Sequence, residues 1–363
     1  MLEVEYVPAV LPPTPKQQHL HDDWVSAVAG WGADPGCVAS GAYDGVVRLW
    51  SGGECSSSYA AHKGAVKAAV AVEAPGDRLL LTAGADAATR VWRGLGPQQR
   101  PEALAVLVGH ADSVECAAAS PDGQLVASGG WDGKLLLWRC GAALVAAAEG
   151  SDGGSDEEGG GAEQAAGGRA AARKRRRGAG GAGIAAGSHE EAPRAELVGH
   201  GQCVAGVAWP ALGALASASW DHSVRLWDVE TGTNTDTLNH NKAVHAVAAA
   251  PSGSGGLVAF GGAERAVRLW DPRARSSEVL AVRSLPSHGG WVAALAWHPT
   301  SLHHLVSASH DGSAKLWDVR ASIPLHTVAS SDEKLLCVGW VGGGTAVAAG
   351  GADRQLRVAE VQV

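Results

Sequence analysis

The sequence predicts an all-β fold, a closed ring of seven four-stranded blades. Three observations carry that expectation. Tryptophans recur at 50, 92, 138, 227, 270 and 317, at intervals of 42, 46, 89, 43 and 47 residues, where the 89 is one repeat carrying an insertion. An acid stands six residues before each of them. Between these marks lie short alternating runs such as Val224-Arg-Leu-Trp227, separated by Asp-Gly or Asp-His turns, as expected for short strands joined by hairpins. Repeats of this period stack into rings or solenoids, because one small sheet cannot bury its own faces.

Taken in order, unit one carries His21, Ser40, Asp44 and Trp50, and unit two His62, Thr82, Asp86 and Trp92. Unit three carries His110, Ser128, Asp132 and Trp138, and unit four His200, Ser217, Asp221 and Trp227. Unit five departs, with Phe260 and Glu264 between His240 and Trp270, so its side-chain linkage is expected to be broken or rearranged. Unit six restores the set as His288, Ser307, Asp311 and Trp317. Unit seven keeps Asp353 but has Ala349 and Ala359 at the serine and tryptophan positions. Units five and seven are therefore expected to be the softest blades, held by their neighbours. Unit seven supplies strands near Leu335–Trp340, Ala346–Ala349 and Gln355–Val361 and then ends. The lone segment Leu2–Val7 is expected to complete it, joining the termini and leaving no open sheet edge.

His, Ser and Asp in one unit are the residue types of a hydrolytic triad. Five repetitions of the set, none in a Gly-x-Ser-x-Gly elbow, argue instead for a structural hydrogen-bond chain running from Asp through His and Ser/Thr to the indole N–H. Tryptophan suits its end, since it fills space between blades and still donates a hydrogen bond. Trp209, Trp297 and Trp340, at the ends of first strands, are expected in the core. No enzyme is expected, and no cofactor or metal. The six cysteines are scattered without C-x-x-C, and no Gly-rich loop is followed by Lys-Ser/Thr. His298, His303, His304 and His310 lie close in sequence, but neighbours along a strand point to opposite faces. Fifty glycines without a G-X-Y period fit many tight turns, and a net charge of -8 argues against a wholly basic nucleic-acid binder. No apolar run approaches 18 residues and the start lacks a basic region, so neither a membrane span nor a signal peptide is expected.

Residues 149–195 carry the insertion of unit three. Its first half is acidic and Gly-rich, and its second half holds Arg173, Lys174, Arg175, Arg176 and Arg177. With few large apolar groups to offset ordering entropy it is expected to be disordered, returning as the fourth strand of blade three at Glu196–Val198. The basic run reads as a nuclear localisation signal, an RNA-contacting tract or simply a solvated tether. Ser155, followed by Asp-Glu-Glu, has the form of an acid-directed phosphorylation site. The residue before each turn acid points to one rim, giving Tyr43, Trp131, Trp220 and His310. Trp24 and Trp291, three residues after a unit histidine, lie near it. These six form a candidate partner face, against the plainer reading that they pack between blades.

The Gly-His to Trp-Asp signature resembles the WD40 repeat, complete at Trp227-Asp228, Trp270-Asp271 and Trp317-Asp318. The resemblance sharpens in the opening Leu2-Glu-Val-Glu-Tyr-Val7, in His21-Asp-Asp-Trp-Val-Ser-Ala27, and in the run from Ser217 to Gly232. Arg268–Arg273, Gly290-Trp-Val292 and Gly350-Gly-Ala-Asp353 add to it. Together they make the whole chain similar to the eukaryotic ribosome-biogenesis WD-repeat proteins of the PeBoW complex. That resemblance implies a non-enzymatic scaffold for assembly of the large (60S) ribosomal subunit and processing of ribosomal RNA precursors. It implies residence in the nucleus, in nucleolus and nucleoplasm, with pescadillo and block-of-proliferation homologues and pre-60S particles as partners. The family's ubiquitin-like domain, which engages the ATPase midasin, is not in this sequence, so contact with midasin is not expected of these residues. The alternative is a substrate receptor of a cullin-type ubiquitin ligase, from the W-D-x-R endings Trp270–Arg273 and Trp317–Arg320.

Overall fold

The structure, a computed structural model, describes residues 19–30, 32, 34–74, 77–96, 99–140, 189–251, 256–273 and 282–362. Among them are 29 strands and one short 3-10 turn at Gly342–Gly344. The strands form seven sheets arranged as a β-propeller, antiparallel except for one added outer strand in blade two. Blade one, for example, runs Val25–Gly30, Val38–Ala42, Val46–Ser51 and Glu54–Ala60 from the axis outwards.

Blade packing follows from the alternation within each strand. The core divides into seven apolar clusters, and each bridges two neighbouring blades. The repeat tryptophan goes into the seam with the preceding blade. Trp92 packs with Val47 and Leu49 of blade one, and Trp227 with Leu135 and Leu137 of blade three. Trp138, Trp227, Trp270 and Trp317 are at most 1% exposed. The seam between blades six and seven has Ala359 where the others have tryptophan, and is filled by Val338, Val347 and Val361 instead. Glycine serves these seams as well as the turns: a Cβ on Gly129 would stand 2.6 Å from Val204 Cγ1 of the next blade.

The ring closes on blade seven through His19–Leu20, which pairs antiparallel with Leu356 and Gln355, and the His21 amide continues the ladder to the Arg354 carbonyl at 2.8 Å. The segment Leu2–Val7 lies outside the described residues. Within the expected insertion, the boundary at 195 has to move. His189–Glu191 is a strand, and Ala195–Val198 forms the outer strand of blade three against Lys134–Leu137. His189–Glu191 pairs in parallel with Ala105–Leu107, making blade two five-stranded. The sequence of that edge explains the addition. Glu102–Val108 reads EALAVLV and is buried on both faces, whereas the outer strands of blades one and four read ECSSSYA and TNTDTLN. An apolar edge recruits cover that polar edges do not need. The basic run 173–177 and Ser155 lie outside the described residues.

Every inner strand carries the same irregularity. Its register against the second strand skips one residue: Ser26, Lys67, Glu115, Ala205, His245, Ala293 and Leu336 in blades one to seven. A bulge of this kind frees one side chain from the pleat and re-aims it. Here all seven line the upper mouth of the axial cavity.

Candidate functional site

Four blades build the same linkage. In blade six Trp317 Nε1 donates to Ser307 Oγ at 2.8 Å, Ser307 lies 2.7 Å from His288 Nε2, and His288 Nδ1 lies 3.0 Å from Asp311. Blade four repeats it through Trp227, Ser217, His200 and Asp221 at 2.8, 2.7 and 2.8 Å. Blade three does so through Trp138, Ser128, His110 and Asp132 at 2.8, 2.8 and 2.9 Å. In blade two Trp92, Thr82, His62 and Asp86 are spaced at 2.9, 2.9 and 2.7 Å. In blades three, four and six the carboxylate can only accept, so the neutral ring donates to it from Nδ1; Nε2 is then the acceptor and takes the hydroxyl's proton, while the hydroxyl accepts from the indole. In blade two the Arg90 guanidinium also lies 2.6 Å from His62 Nδ1.

The carboxylate then ties two loops together. Asp311 accepts the Gly289 amide at 2.7 Å and the Ser313 amide at 2.9 Å, joining the histidine loop to the turn it occupies. Burial holds His62, His200 and His288 below the usual imidazole range, outweighing their carboxylate partners. Burial alone would raise the Asp221 carboxyl, but hydrogen bonds from Ser223, His200 and the Gly201 amide bring it down to about 2. The serine and threonine hydroxyls are fully buried and already engaged on both sides, so none of them can meet a substrate.

Blade one is a variant. Trp50 Nε1 and His21 Nε2 both meet Ser40 Oγ at 2.7 Å, but the Arg48 guanidinium lies 2.7 Å from His21 Nδ1 and 3.5 Å from Asp44. In blade five Phe260 sets its ring against His240 edge-on at 5.7 Å, and Glu264 reaches His240 Nε2 at 3.4 Å while pairing with Arg268. A longer acid and an aromatic contact thus replace the hydroxyl linkage. In blade seven Ser331 stands in the histidine's place and donates to Asp353 at 2.7 Å, with Arg357 on the same carboxylate. Ser331 and the arginines at 48, 268 and 357 escaped the sequence reading, although arginine recurs two residues before the tryptophan position in blades one, two, four, five and seven.

The candidate partner residues form one collar on this upper face. Trp24 contacts Tyr43 with ring centroids 5.5 Å apart, Trp131 meets Trp220 edge-on at 4.8 Å, and Trp291 stacks on His310 at 5.7 Å. His245 joins the last two pairs, edge-on to Trp220 at 5.6 Å and stacked on Trp291 at 5.7 Å. Lys67 and Glu115 join the first two. Lys67 Nζ sits 4.8 Å over the Tyr43 ring and 3.4 Å from Glu115, whose other oxygen accepts from Trp131 Nε1 at 2.8 Å. The three linking residues are bulged ones, a position that simple alternation assigns to neither face. Trp24, Trp131 and Trp291 remain 41%, 45% and 50% exposed, so packing between blades does not use them up.

Trp209 and Trp297 are buried, and Trp209 and Trp340 donate across seams to the Ala118 and Ala296 carbonyls at 3.0 and 3.1 Å. Among the described residues no group of His, Cys, Asp and Glu could hold a metal ion, and no helix is long and apolar enough to cross a membrane. In the W-D-x-R endings, Arg273 and Arg320 fold back onto their own Asp271 and Asp318 at 3.0 and 2.7 Å.

Comparison with known proteins places these features. The WD domain, G-beta repeat model matches residues 14–51, 101–139, 191–228 and 280–318. A ribosome biogenesis protein WDR12 homologue of Chlamydomonas reinhardtii is 45% identical over 99% of this chain and 81% of its own length. Homologues of the same name in Oryza sativa subsp. japonica and Arabidopsis thaliana are 36% and 35% identical over 99% and 98% of this chain, and 78% of each relative. These relatives do not favour the ligase-receptor alternative. Matching repeats and identity carried along nearly the whole ring place the chain in the WDR12 family of ribosome biogenesis proteins.

Proposed function

We propose that this propeller is a non-enzymatic scaffold in biogenesis of the large ribosomal subunit, acting in the nucleus, within nucleolus and nucleoplasm. Its partners are pescadillo and block-of-proliferation homologues on pre-60S particles, and its upper collar is the docking face. The relatives' role supports the setting. The collar is the observation that carries the mechanism. Tryptophan and tyrosine concentrate at binding hot spots because they bury large area at little entropic cost. Backbone bonds across the hairpin mouths, among them the Tyr43 amide to the Trp24 carbonyl and the His310 amide to the Trp291 carbonyl, hold these rings in place before any partner arrives, so little ordering is lost on binding. The basic run 173–177 supplies nuclear import in this reading, and phosphorylation of Ser155 would add charge to the acidic half of the insertion.

Affinity capture with the tagged chain tests it. Recovery of pescadillo and block-of-proliferation homologues with large-subunit precursors is expected, and Trp131→Ala with Trp291→Ala should reduce it at least tenfold. Undiminished capture by that double variant would remove the collar from the reading. Recovery of a cullin adaptor in place of those partners would overturn the function.

A further inference from the structure

The collar surrounds the mouth of an axial cavity of about 570 Å³. Its wall is chemically uneven. Over blades one to three the polar groups satisfy one another: Lys67 with Tyr43 and Glu115, Glu115 with Trp131. Over blades four and five they do not. Trp220 Nε1 and His245 Nε2 are both buried without a hydrogen-bond partner, although their rings touch edge-on at 79°. Native proteins keep few such atoms, and adjacent ones in a concave aromatic site mark where a polar guest belongs.

The guest's chemistry follows by elimination. The indole N–H can only donate, so the guest brings an acceptor; ammonium and guanidinium groups have none. A carboxylate or a phosphate backbone would find one Lys or Arg among the residues that line the mouth, Lys67, and that one is already paired with Glu115. An uncharged carboxamide offers an acceptor and donors on one planar group and stacks on aromatic rings. His245, kept neutral by burial and by His310, can accept from its NH₂.

We propose that the mouth between blades four and five binds the carboxamide of an Asn or Gln at the tip of a partner protein's loop. Trp131 and Trp291, which rest on the Trp220 and His245 rings in the free protein, turn aside to admit it, so that Trp220 donates to its carbonyl and His245 Nε2 accepts from its NH₂. This rests on the upper face being the docking platform.

Trp indole N–H signals of the ¹⁵N-labelled protein, with Trp220 assigned from Trp220→Phe, give the test. The probes are propionamide, propionate, propylammonium and an oligouridylate, the small ones titrated to about 100 mM because so few atoms bind weakly. Propionamide should move the Trp220 signal saturably, and His245→Phe should abolish that movement with the fold unchanged. A Trp220 signal unmoved by propionamide, or moved more by propionate or the oligonucleotide, overturns the site. Partner capture separates the two levels. Loss of capture by the Trp131/Trp291 double variant with full retention by Trp220→Phe and His245→Phe would keep the platform and discard the carboxamide site. Loss of capture by Trp220→Phe and His245→Phe as well supports it.

Discussion

Trp317 Nε1 donates to Ser307 Oγ at 2.8 Å, the first bond of a relay that ends on the Asp311 carboxylate. Because the carboxylate can only accept, neutral His288 presents Nδ1–H to it, and its bare Nε2 takes the hydroxyl's hydrogen. Removing the hydroxyl therefore strands a buried donor and a buried acceptor together. Ser307→Ala should cost about 2–6 kcal/mol, each of the two orphaned groups contributing roughly 1–3. Urea denaturation would show a lower midpoint at unchanged slope. A loss under about 0.5 kcal/mol would mean that the relay adds little to the ring.

Acid should weaken the protein in two stages. Burial keeps the folded pKa of His62, His200 and His288 below the 6.5 of an exposed imidazole, so the unfolded chain takes up protons first. Their contribution is complete above pH 6.5 and is lost as pH falls towards the folded values, at up to ~1.4 kcal/mol per pH unit for each histidine. The second stage starts near 3.8, where unfolded aspartates protonate, and continues to about 2 for Asp221, with Asp86 and Asp311 also held below 3.8. Thermal midpoints between pH 8 and pH 3 measure this; a flat profile from 6.5 to 5 would contradict the neutral relay.

Gly129→Ala should destabilise by about 1–3 kcal/mol, the usual cost of overpacking. The new methyl would meet Val204 Cγ1 at 2.6 Å and Cys116 Sγ at 2.9 Å, and a β-branched neighbour in an inner strand has few rotamers to retreat into. The companion change Val204→Ala should recover part of the loss, a coupling that a double-mutant cycle reads directly.

Two truncations separate the candidates for ring closure. Deleting residues 1–20 removes His19–Leu20 from the edge of Gln355–Glu360 and should lower the unfolding midpoint and expose the blade-seven edge to hydrogen exchange. Deleting residues 1–7 alone tests Leu2–Val7. A midpoint equal to the full chain's would assign closure to His19–Leu20.

Much of this was legible beforehand because the repeat tryptophan and acid sit at fixed separations, and a hydrogen-bond chain of fixed length needs them there. The seven inner strands, the seam tryptophans and the upper rim follow from that spacing. His245, Lys67 and Glu115 were hidden because a bulge interrupts alternation, and only the register of the neighbouring strand reveals it. Ser331 was hidden because a short hydroxyl replaces a ring. The strand His189–Glu191 was masked by its own polarity, for its pairing answers the apolar sequence of Glu102–Val108, more than 80 residues earlier.

The seven bulges leave the ring with a division of labour. Each inner strand devotes its regular positions to holding neighbours and releases a single side chain to the mouth, so that seven letters are displayed around one opening. Ala205, Ala293 and Leu336 could be rewritten with no change to any relay, and each rewriting would alter what the opening reads. The molecule is in this sense an address plate: its frame stays constant, and its meaning lies in characters that the frame does not need.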